Sequence, residues 1–183
     1  MTSDVLHRLI GACARRMTDA DKDTLARFGV HDRSLADQGE IGIANVVLGL
    51  DQVPYFDFAD GGGTRAFIQR VATWGNSTFD LVAWSPAKPD RWALYRNIGW
   101  ALGEANIEKA EFEDEPVNLW RRPVDFLAHD FTGAVVLDYS AAWAHLSGLT
   151  LVGEDADHAR EIRKRIRPPF LDLPRVAYAR AAA

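Results

Sequence analysis

Residues 116–167 decide the fold, and their sequence is PVNLWRRPVDFLAHDFTGAVVLDYSAAWAHLSGLTLVGEDADHAREIRKRIR. Short apolar runs in this stretch alternate with segments of helical character. The predicted order is strand 117–120, helix 122–129, strand 134–137, helix 140–146, strand 149–152 and helix 155–167. Such alternation is typical of βαβ units, in which helices cover both faces of a parallel sheet.

The ends of these predicted helices carry residues suited to their positions. Pro123 lies in a first helical turn, where its missing N–H costs nothing. Ser140 and Asp155 are predicted N-caps, because their side-chain oxygens accept hydrogen bonds from free backbone N–H groups. Pro168 and Pro169 end the last helix.

Four acidic residues follow the second and third of these strands: Asp138, Glu154, Asp155 and Asp157. Right-handed crossovers place the carboxyl ends of parallel strands on one rim of the sheet, where ligands of open α/β sheets bind. Divalent cations such as Mg²⁺ take several converging carboxylate oxygens. The four residues are therefore the candidate magnesium ligands.

Helix capping is the competing interpretation of the same charges. The positive end of a helix dipole favours the acids that precede and begin the last helix, and the basic residues between Arg160 and Arg167 suit its later turns. If the acids only cap helices, no cofactor is expected.

The segment LTLVGEDADHAREI, residues 149–162, resembles the acidic strand-to-helix motif of the toprim domain of primases and topoisomerases. The resemblance implies Mg²⁺-dependent phosphoryl transfer. A toprim domain also has a glutamate directly after an earlier strand, whereas the earlier strands here end in Trp120 and Asp138. Asp138 would then have to supply the second arm of the metal site.

A second resemblance covers DLVAWSPAKPDRWALYRNIGWALG, residues 80–103, and LWRRPVDFLAHDFTGAVVLD, residues 119–138. Both segments are similar to stretches of small proteins found in prophage-like regions of proteobacteria. The resemblance implies a phage or mobile-element context and supplies no activity, cofactor or catalytic residue.

Composition excludes several classes of protein. The net charge of −5 and the pI of about 5.5 argue against a dedicated nucleic-acid binder. Cys13 is the only cysteine, so an intramolecular disulfide and a cysteine-based metal site are excluded. The start of the chain lacks the features of a signal peptide, and no apolar run is long enough to span a membrane. These features predict a soluble, cytoplasmic protein.

The first half of the chain predicts helices and antiparallel strands. Amphipathic helices are expected at 4–17 and from Thr18 to about Gly29, and residues 41–50 fit either a strand or a helix. Two alternating segments, 55–59 and 65–71, flank Gly61–Gly62–Gly63 and predict a hairpin; an anion-binding nest is the alternative. A strand is predicted at 79–84 and a turn at 85–89, followed by a helix at 90–103 or alternatively a strand at 92–96. Residues 108–115 are predicted to form a solvated connector. Residues 168–183 are predicted to form a C-terminal arm that covers its own sheet edge or reaches a partner.

Aromatic and basic residues suggest a further hypothesis. Tryptophans 74, 84, 92, 100, 120 and 143, with arginines 91, 96, 121 and 122, would bind single-stranded nucleic acid if they shared a surface. Core packing is the ordinary role of tryptophan. Histidines 129, 145 and 158 lack the short spacing of zinc ligands and fit helix ends.

Together these patterns predict one α/β or α+β domain over residues 1–183, with an internal boundary near 104–116 at most. Its mixed sheet would have N-terminal helices, an antiparallel hairpin and a C-terminal βαβαβα half. With no complete catalytic constellation in the sequence, the favoured function is a non-catalytic accessory protein that binds a protein partner or itself, with no membrane association. The alternatives are a Mg²⁺-dependent phosphoryl-transfer or nucleotide-binding protein and a weak single-strand binder.

Overall fold

The computed structural model describes residues 3–49, 54–73 and 77–166, together with the backbone of residues 175–178. Its helices are α1 (Ser3–Ala14), α2 (Asp19–Ala26), α3 (Glu104–Glu113), α4 (Pro123–Ala128), α5 (Tyr139–Leu146) and α6 (Ala156–Arg165). Its strands are β1 (Ile41–Gly49), β2 (Tyr55–Phe58), β3 (Thr64–Ala72), β4 (Thr78–Ser85), β5 (Lys88–Leu94), β6 (Ala101–Leu102), β7 (Val117–Leu119), β8 (Val135–Val136), β9 (Thr150–Gly153) and β10 (Arg175–Tyr178). The predicted combination of helices with a mixed sheet is confirmed. No helix within these ranges is both long and apolar enough to cross a lipid bilayer.

The N-terminal half is built around five strands that close on themselves in the order β1-β2-β5-β4-β3. The neighbouring pairs are antiparallel except β2–β5, which closes the ring through a parallel pairing of Tyr55 with Leu94. Alternate strand residues face a common core, onto which α1 packs its apolar face. The buried residues of this core are Leu6, Ile10, Cys13, Ala44, Val46, Phe56, Ala66, Ile68, Leu81, Ala83 and Ala93. The amphipathic helix predicted at 4–17 therefore packs onto its own sheet.

The predicted hairpin between residues 55–59 and 65–71 is wrong. Both segments are strands, but β2 and β3 pair with opposite edges of β1 and not with each other. The glycines carry the chain across the middle of β1, at Val46, where a Cβ on Gly63 would lie 2.7 Å from the Val46 carbonyl oxygen. The run at 41–50, which its periodicity left open, supplies the long strand that both neighbours require.

The favoured helix at 90–103 is also wrong, and the alternative strand is closer to the structure. A tight turn at residues 86 and 87 joins β4 to β5 as an antiparallel hairpin. Trp92 lies opposite Trp84, and cross-strand aromatic pairs stabilise a sheet. The apolar spacing of residues 90–103 fits a helix, but it does not reveal the pairing with β4 that makes the first part of the segment a strand.

The acidic stretch at 108–115 belongs to α3 and its C-terminal end instead of forming a solvated connector. Ile107 and Ala110, one turn apart, are buried against the second sheet, while the acidic residues of the stretch are exposed. Two apolar residues at helical spacing are enough to hold a helix whose other faces are charged. The internal boundary predicted near 104–116 falls on this helix.

The C-terminal half contains the predicted βαβ arrangement. β7, β9 and β10 form a parallel sheet in the order β10-β9-β7, and Leu119 of β7 makes a parallel bridge to Ala134, next to β8. The strands predicted at 134–137 and 149–152 therefore run in the same direction, with β7 between them. β8 also pairs antiparallel with β6, which connects this sheet to the chain leaving β5.

The C-terminal arm contributes an edge strand. The backbone of β10 lies parallel to β9, so this part of the arm covers its own sheet. The rest of the predicted arm, residues 168–174 and 179–183, lies outside the described residues.

The close approach of α1 to β1 gives a test of the fold. A Cβ at Gly42 would lie 2.4 Å from backbone atoms of Cys13 and Ala14. Because this overlap forces α1 away from the strands, we expect Gly42→Ala to lower the free energy of unfolding by about 3 kcal/mol in urea titrations followed by circular dichroism. Gly61→Ala is the matched control, since its Cβ meets nothing within 4 Å. Equal losses in the two variants would contradict this packing.

Candidate functional site

A crevice of about 520 Å³ opens at the carboxyl ends of β7 and β9. The connection through α4 leaves β7 toward β8, whereas the connection through α6 leaves β9 in the opposite direction, toward β10. Ligands of open α/β sheets bind where the connections diverge in this way. The residues that line the crevice are Asn118, Trp120, Asp125, His129, Val152, Gly153 and Glu154. The rim that the sequence predicts to bind ligands therefore contains an open cavity.

Two stacked rings form one wall of the crevice. Trp120 follows β7 and His129 is the C-cap of α4, and their ring centroids lie 3.7 Å apart at an interplanar angle of 13°. The indole Nε1 of Trp120 donates to the carbonyl oxygen of Thr132 at 2.6 Å. A Cβ on Gly133 would lie 2.8 Å from that nitrogen, so a glycine is required beside the indole. The orientation of Trp120 is thus set by backbone on two sides.

The partner of His129 fixes its tautomer. Its Nδ1 lies 2.8 Å from the carbonyl oxygen of Asp125. A carbonyl only accepts, so Nδ1 carries the proton and, in the neutral ring, Nε2 carries the lone pair. His129 is exposed and lines the crevice, so Nε2 of the neutral ring is an acceptor there.

Arg121 joins the ends of β7 and β9. Its backbone N–H and its Nη1 each donate to Glu154 at 2.7 Å, one to each carboxylate oxygen. The same guanidinium donates to both oxygens of Asp155 at 2.8 and 2.9 Å. These hydrogen bonds hold the pKa of Asp155 well below its usual range, and they raise the pKa of Arg121.

Arg122 makes a second ion pair beside the crevice. Its Nε and Nη2 donate to the two oxygens of Asp125, at 2.8 and 2.5 Å, and the Asp125 residue is buried. The bidentate contact with Asp125 raises the pKa of Arg122. Both carboxylates that line the crevice are therefore paired with an arginine that lies just outside the lining.

The structure brings together two of the four predicted magnesium ligands. Glu154 and Asp155 meet on Arg121, and Asp155 is also the predicted N-cap of α6, accepting from His158 N at 2.8 Å. Asp157 pairs with Arg160 one turn along the same helix. Among the residues that the structure describes, no group of three or more His, Cys, Asp or Glu side chains is arranged to hold a metal ion. Magnesium binding stays a prediction.

Asp138, the fourth predicted ligand, caps α5. Its carboxylate accepts from the backbone N–H of Ser140 at 2.8 Å and from the Ser140 hydroxyl at 2.7 Å. The assignment of Ser140 as the cap is therefore wrong by two residues. Asp138 accepts from the free backbone N–H of Ser140, so Ser140 is the donor and not the cap.

The tryptophans and arginines of the nucleic-acid hypothesis are mostly engaged within the fold. Trp84 and Trp100 are buried, and Trp92 donates its indole N–H to the carbonyl oxygen of Leu137. Arg96 donates to the carbonyl oxygen of Phe79. Trp74 lies outside the described residues. Single-strand binding stays a prediction, and these contacts do not supply a row of exposed rings for it.

Sequence reasoning did not bring Asn118, Asp125, Trp120 and His129 together as one site. Part of the signal was present, since Arg122 and Asp125 stand three residues apart in a predicted helix, the spacing of a helical ion pair. The stacking of Trp120 on His129 depends on the turn after α4 and has no local signature.

Comparisons with protein-family models, with curated proteins and with solved structures found no match. The two resemblances noted in the sequence therefore remain predictions. A function has to be inferred from the geometry of the crevice.

Magnesium gives a direct test of the acidic residues. Because Asp138, Glu154, Asp155 and Asp157 each have a protein partner, we expect millimolar Mg²⁺ or Mn²⁺ to leave the melting temperature unchanged in thermal-shift titrations. An ion present at a hundred times its Kd would add about 2.7 kcal/mol to the free energy of unfolding and raise the melting temperature by about 5–10 °C. Such a rise, if abolished by Asp155→Asn, would establish the magnesium site.

His158 gives a pH test of the segment after β9. The residue is 1% exposed, and its Nδ1 accepts from Glu154 N at 3.2 Å, so the folded protein holds the neutral ring. Burial lowers the pKa of His158, while the nearby Glu154, Glu161 and Asp155 raise it less and Arg121 lowers it. In the unfolded chain, histidine titrates at about pH 6.5. Below that pH the unfolded state binds a proton that the folded state does not, so the free energy of unfolding should be greatest above pH ~6.5 and fall below it, by up to about 1.4 kcal/mol per pH unit.

Urea titrations at several pH values between neutral and mildly acidic conditions measure this slope. His158→Gln should flatten it, because glutamine keeps an acceptor and does not titrate. His7→Gln, at an exposed position, should leave the slope as it is. Identical slopes in the wild type and His158→Gln would show that His158 is not the group responsible.

Proposed function

We propose that this protein is a non-catalytic accessory protein of the cytoplasm that binds a protein partner through the crevice at the ends of β7 and β9. The observation that carries the proposal is the crevice itself: an open cavity of about 520 Å³ at the switch point of the sheet, walled by stacked Trp120 and His129. Tryptophan is among the residues that contribute most to binding at protein interfaces.

The internal pairing of charges supports binding over catalysis. A general base needs a carboxylate free to take a proton, and a catalytic metal ion needs several carboxylate oxygens as direct ligands. Asp125 and Glu154 instead make two hydrogen bonds each to Arg122 and Arg121. Paired charges of this kind fix the shape of a surface, which suits recognition.

The cellular setting is part of the same proposal. The single cysteine suits a reducing compartment. The resemblance of residues 80–103 and 119–138 to prophage-region proteins supports the proposal that this protein is itself encoded by a phage or mobile element.

Site-specific photo-crosslinking in the native cell tests the proposal. A benzophenone amino acid in place of Val152, which lines the crevice, should give one discrete adduct that mass spectrometry identifies as a protein. The adduct should disappear when Asn118→Arg fills the crevice, because Asn118 is exposed and lies beside Val152 in the strand register. The control probe replaces Lys109, which is exposed on α3, and should not give that adduct.

Two results would overturn the proposal. One is the absence of an adduct from Val152, or an adduct that Asn118→Arg does not change. The other is turnover of a nucleotide or nucleic acid by the purified protein that is lost when Asp155 and Asp157 are both replaced by Asn.

A further inference from the structure

We infer that the crevice recognises a cation, and specifically the guanidinium group of an arginine side chain on the partner. The inference rests on the proposed function and adds the chemistry of the group that enters.

The charges around the crevice favour a positively charged ligand. Three carboxylates, those of Asp125, Glu154 and Asp155, are balanced by two guanidinium groups, those of Arg121 and Arg122. One negative charge is left in excess. The described lining contains two of the carboxylates and neither lysine nor arginine, so a bound anion would face like charge.

The hydrogen-bonding groups of the lining are mainly acceptors with spare capacity. Each carboxylate oxygen of Glu154 and Asp125 accepts one hydrogen bond from an arginine, and each has a second lone pair. His129 adds the lone pair of Nε2. The indole N–H of Trp120 is already donated to Thr132. A ligand rich in donors satisfies this set, and a guanidinium has five N–H donors and no acceptor.

The shape of the wall selects a planar cation. Guanidinium groups stack on aromatic faces and are attracted by the ring quadrupole. Trp120 and His129 lie nearly parallel, at 13°, and His129 is exposed, so the pair presents a flat surface beside the acceptors. The ammonium group of lysine is attracted by the negative charge but cannot stack on the flat surface. We therefore expect the crevice to prefer arginine over lysine.

Titration of the purified full-length protein with capped amino acids tests the inference. Acetyl-arginine methylamide should shift the backbone NMR signals of His129, Gly153 and Glu154. The citrulline analogue, which has the same shape without the charge, should bind at least about tenfold more weakly, since a charge-assisted hydrogen bond is lost. The lysine analogue should fall between the two, and inorganic phosphate should not shift these signals.

Two variants separate the crevice charge from general electrostatics. Glu154→Gln keeps an oxygen for the Arg121 N–H but removes a negative charge from the lining, and it should weaken arginine binding about tenfold. Glu161→Gln removes an equal charge from the exposed face of α6, where Glu161 pairs with Arg165, and should leave the affinity unchanged. Both variants should keep the wild-type circular dichroism spectrum.

The inference and the proposed function fail in different ways. Equal binding of arginine and citrulline analogues, or an equal effect of the two glutamate variants, would overturn the cation inference. If the crosslink from Val152 still forms and an arginine peptide does not compete with it, the partner binds by other chemistry and only the cation inference falls. If no crosslink forms, the proposed function falls, whatever the titration shows.

Discussion

The carboxylate of Asp80 ties the two halves of the molecule together. It is fully buried in β4, and its two oxygens accept four backbone hydrogen bonds, from Leu81 and Arg96 to one oxygen and from Ile98 and Gly99 to the other, at 2.8–3.0 Å. The chain that leaves β5 has no strand partner here, so the N–H of Gly99, which is buried, and those of Arg96 and Ile98, which are partly buried, would otherwise lack a protein acceptor. Leaving a buried N–H unpaired is costly. The carboxylate thus bends the chain toward β6.

The position of the crevice follows from that bend. β6 pairs with β8, the chain before β8 bridges to β7, and β7 pairs with β9. α4 is then enclosed between the two halves: Val124 and Leu127 pack with Trp84 of β4, while Phe126 packs with Val135 of β8. A helix of six residues is marginal alone, and this burial holds it in place. Asp125 and His129 consequently keep a fixed position beside the end of β7.

The C-terminal half was predictable because its information is local. Apolar runs, the proline at the start of α4 and the Asp155 cap each act within a few residues, and these elements were predicted in the right order. The placement of β2 and β3 on either side of β1 was not predictable, since alternation of apolar and polar residues does not indicate which strand a segment will pair with. The strand at 88–94 failed for a related reason, because its pairing with β4 outweighs a helical pattern along one segment.

In the candidate site, too, the features with local sequence signals were predicted and the contacts between distant residues were not. Strand order placed Glu154 and Asp155 at the carboxyl rim, and the structure confirms that location. Their partner Arg121 lies more than thirty residues earlier in the chain, and an ion pair across that separation has no sequence pattern. Carboxylates seen without their arginines look like metal ligands. The location of the crevice was therefore predicted from the sequence, whereas the pairing of its carboxylates with arginines was not.

The arginine–carboxylate pairs keep the crevice polar and open. Arg121 holds the ends of β7 and β9 at a fixed separation, and Arg122 neutralises the buried Asp125, whose charge would otherwise be costly to desolvate. A ligand then meets groups that are already oriented, so little binding free energy is lost in ordering them. A cation adds to a set with one negative charge in excess, whereas a phosphate would first have to separate a carboxylate from its arginine. The ion pairs that stabilise this part of the fold therefore also set the sign of the charge that the crevice accepts.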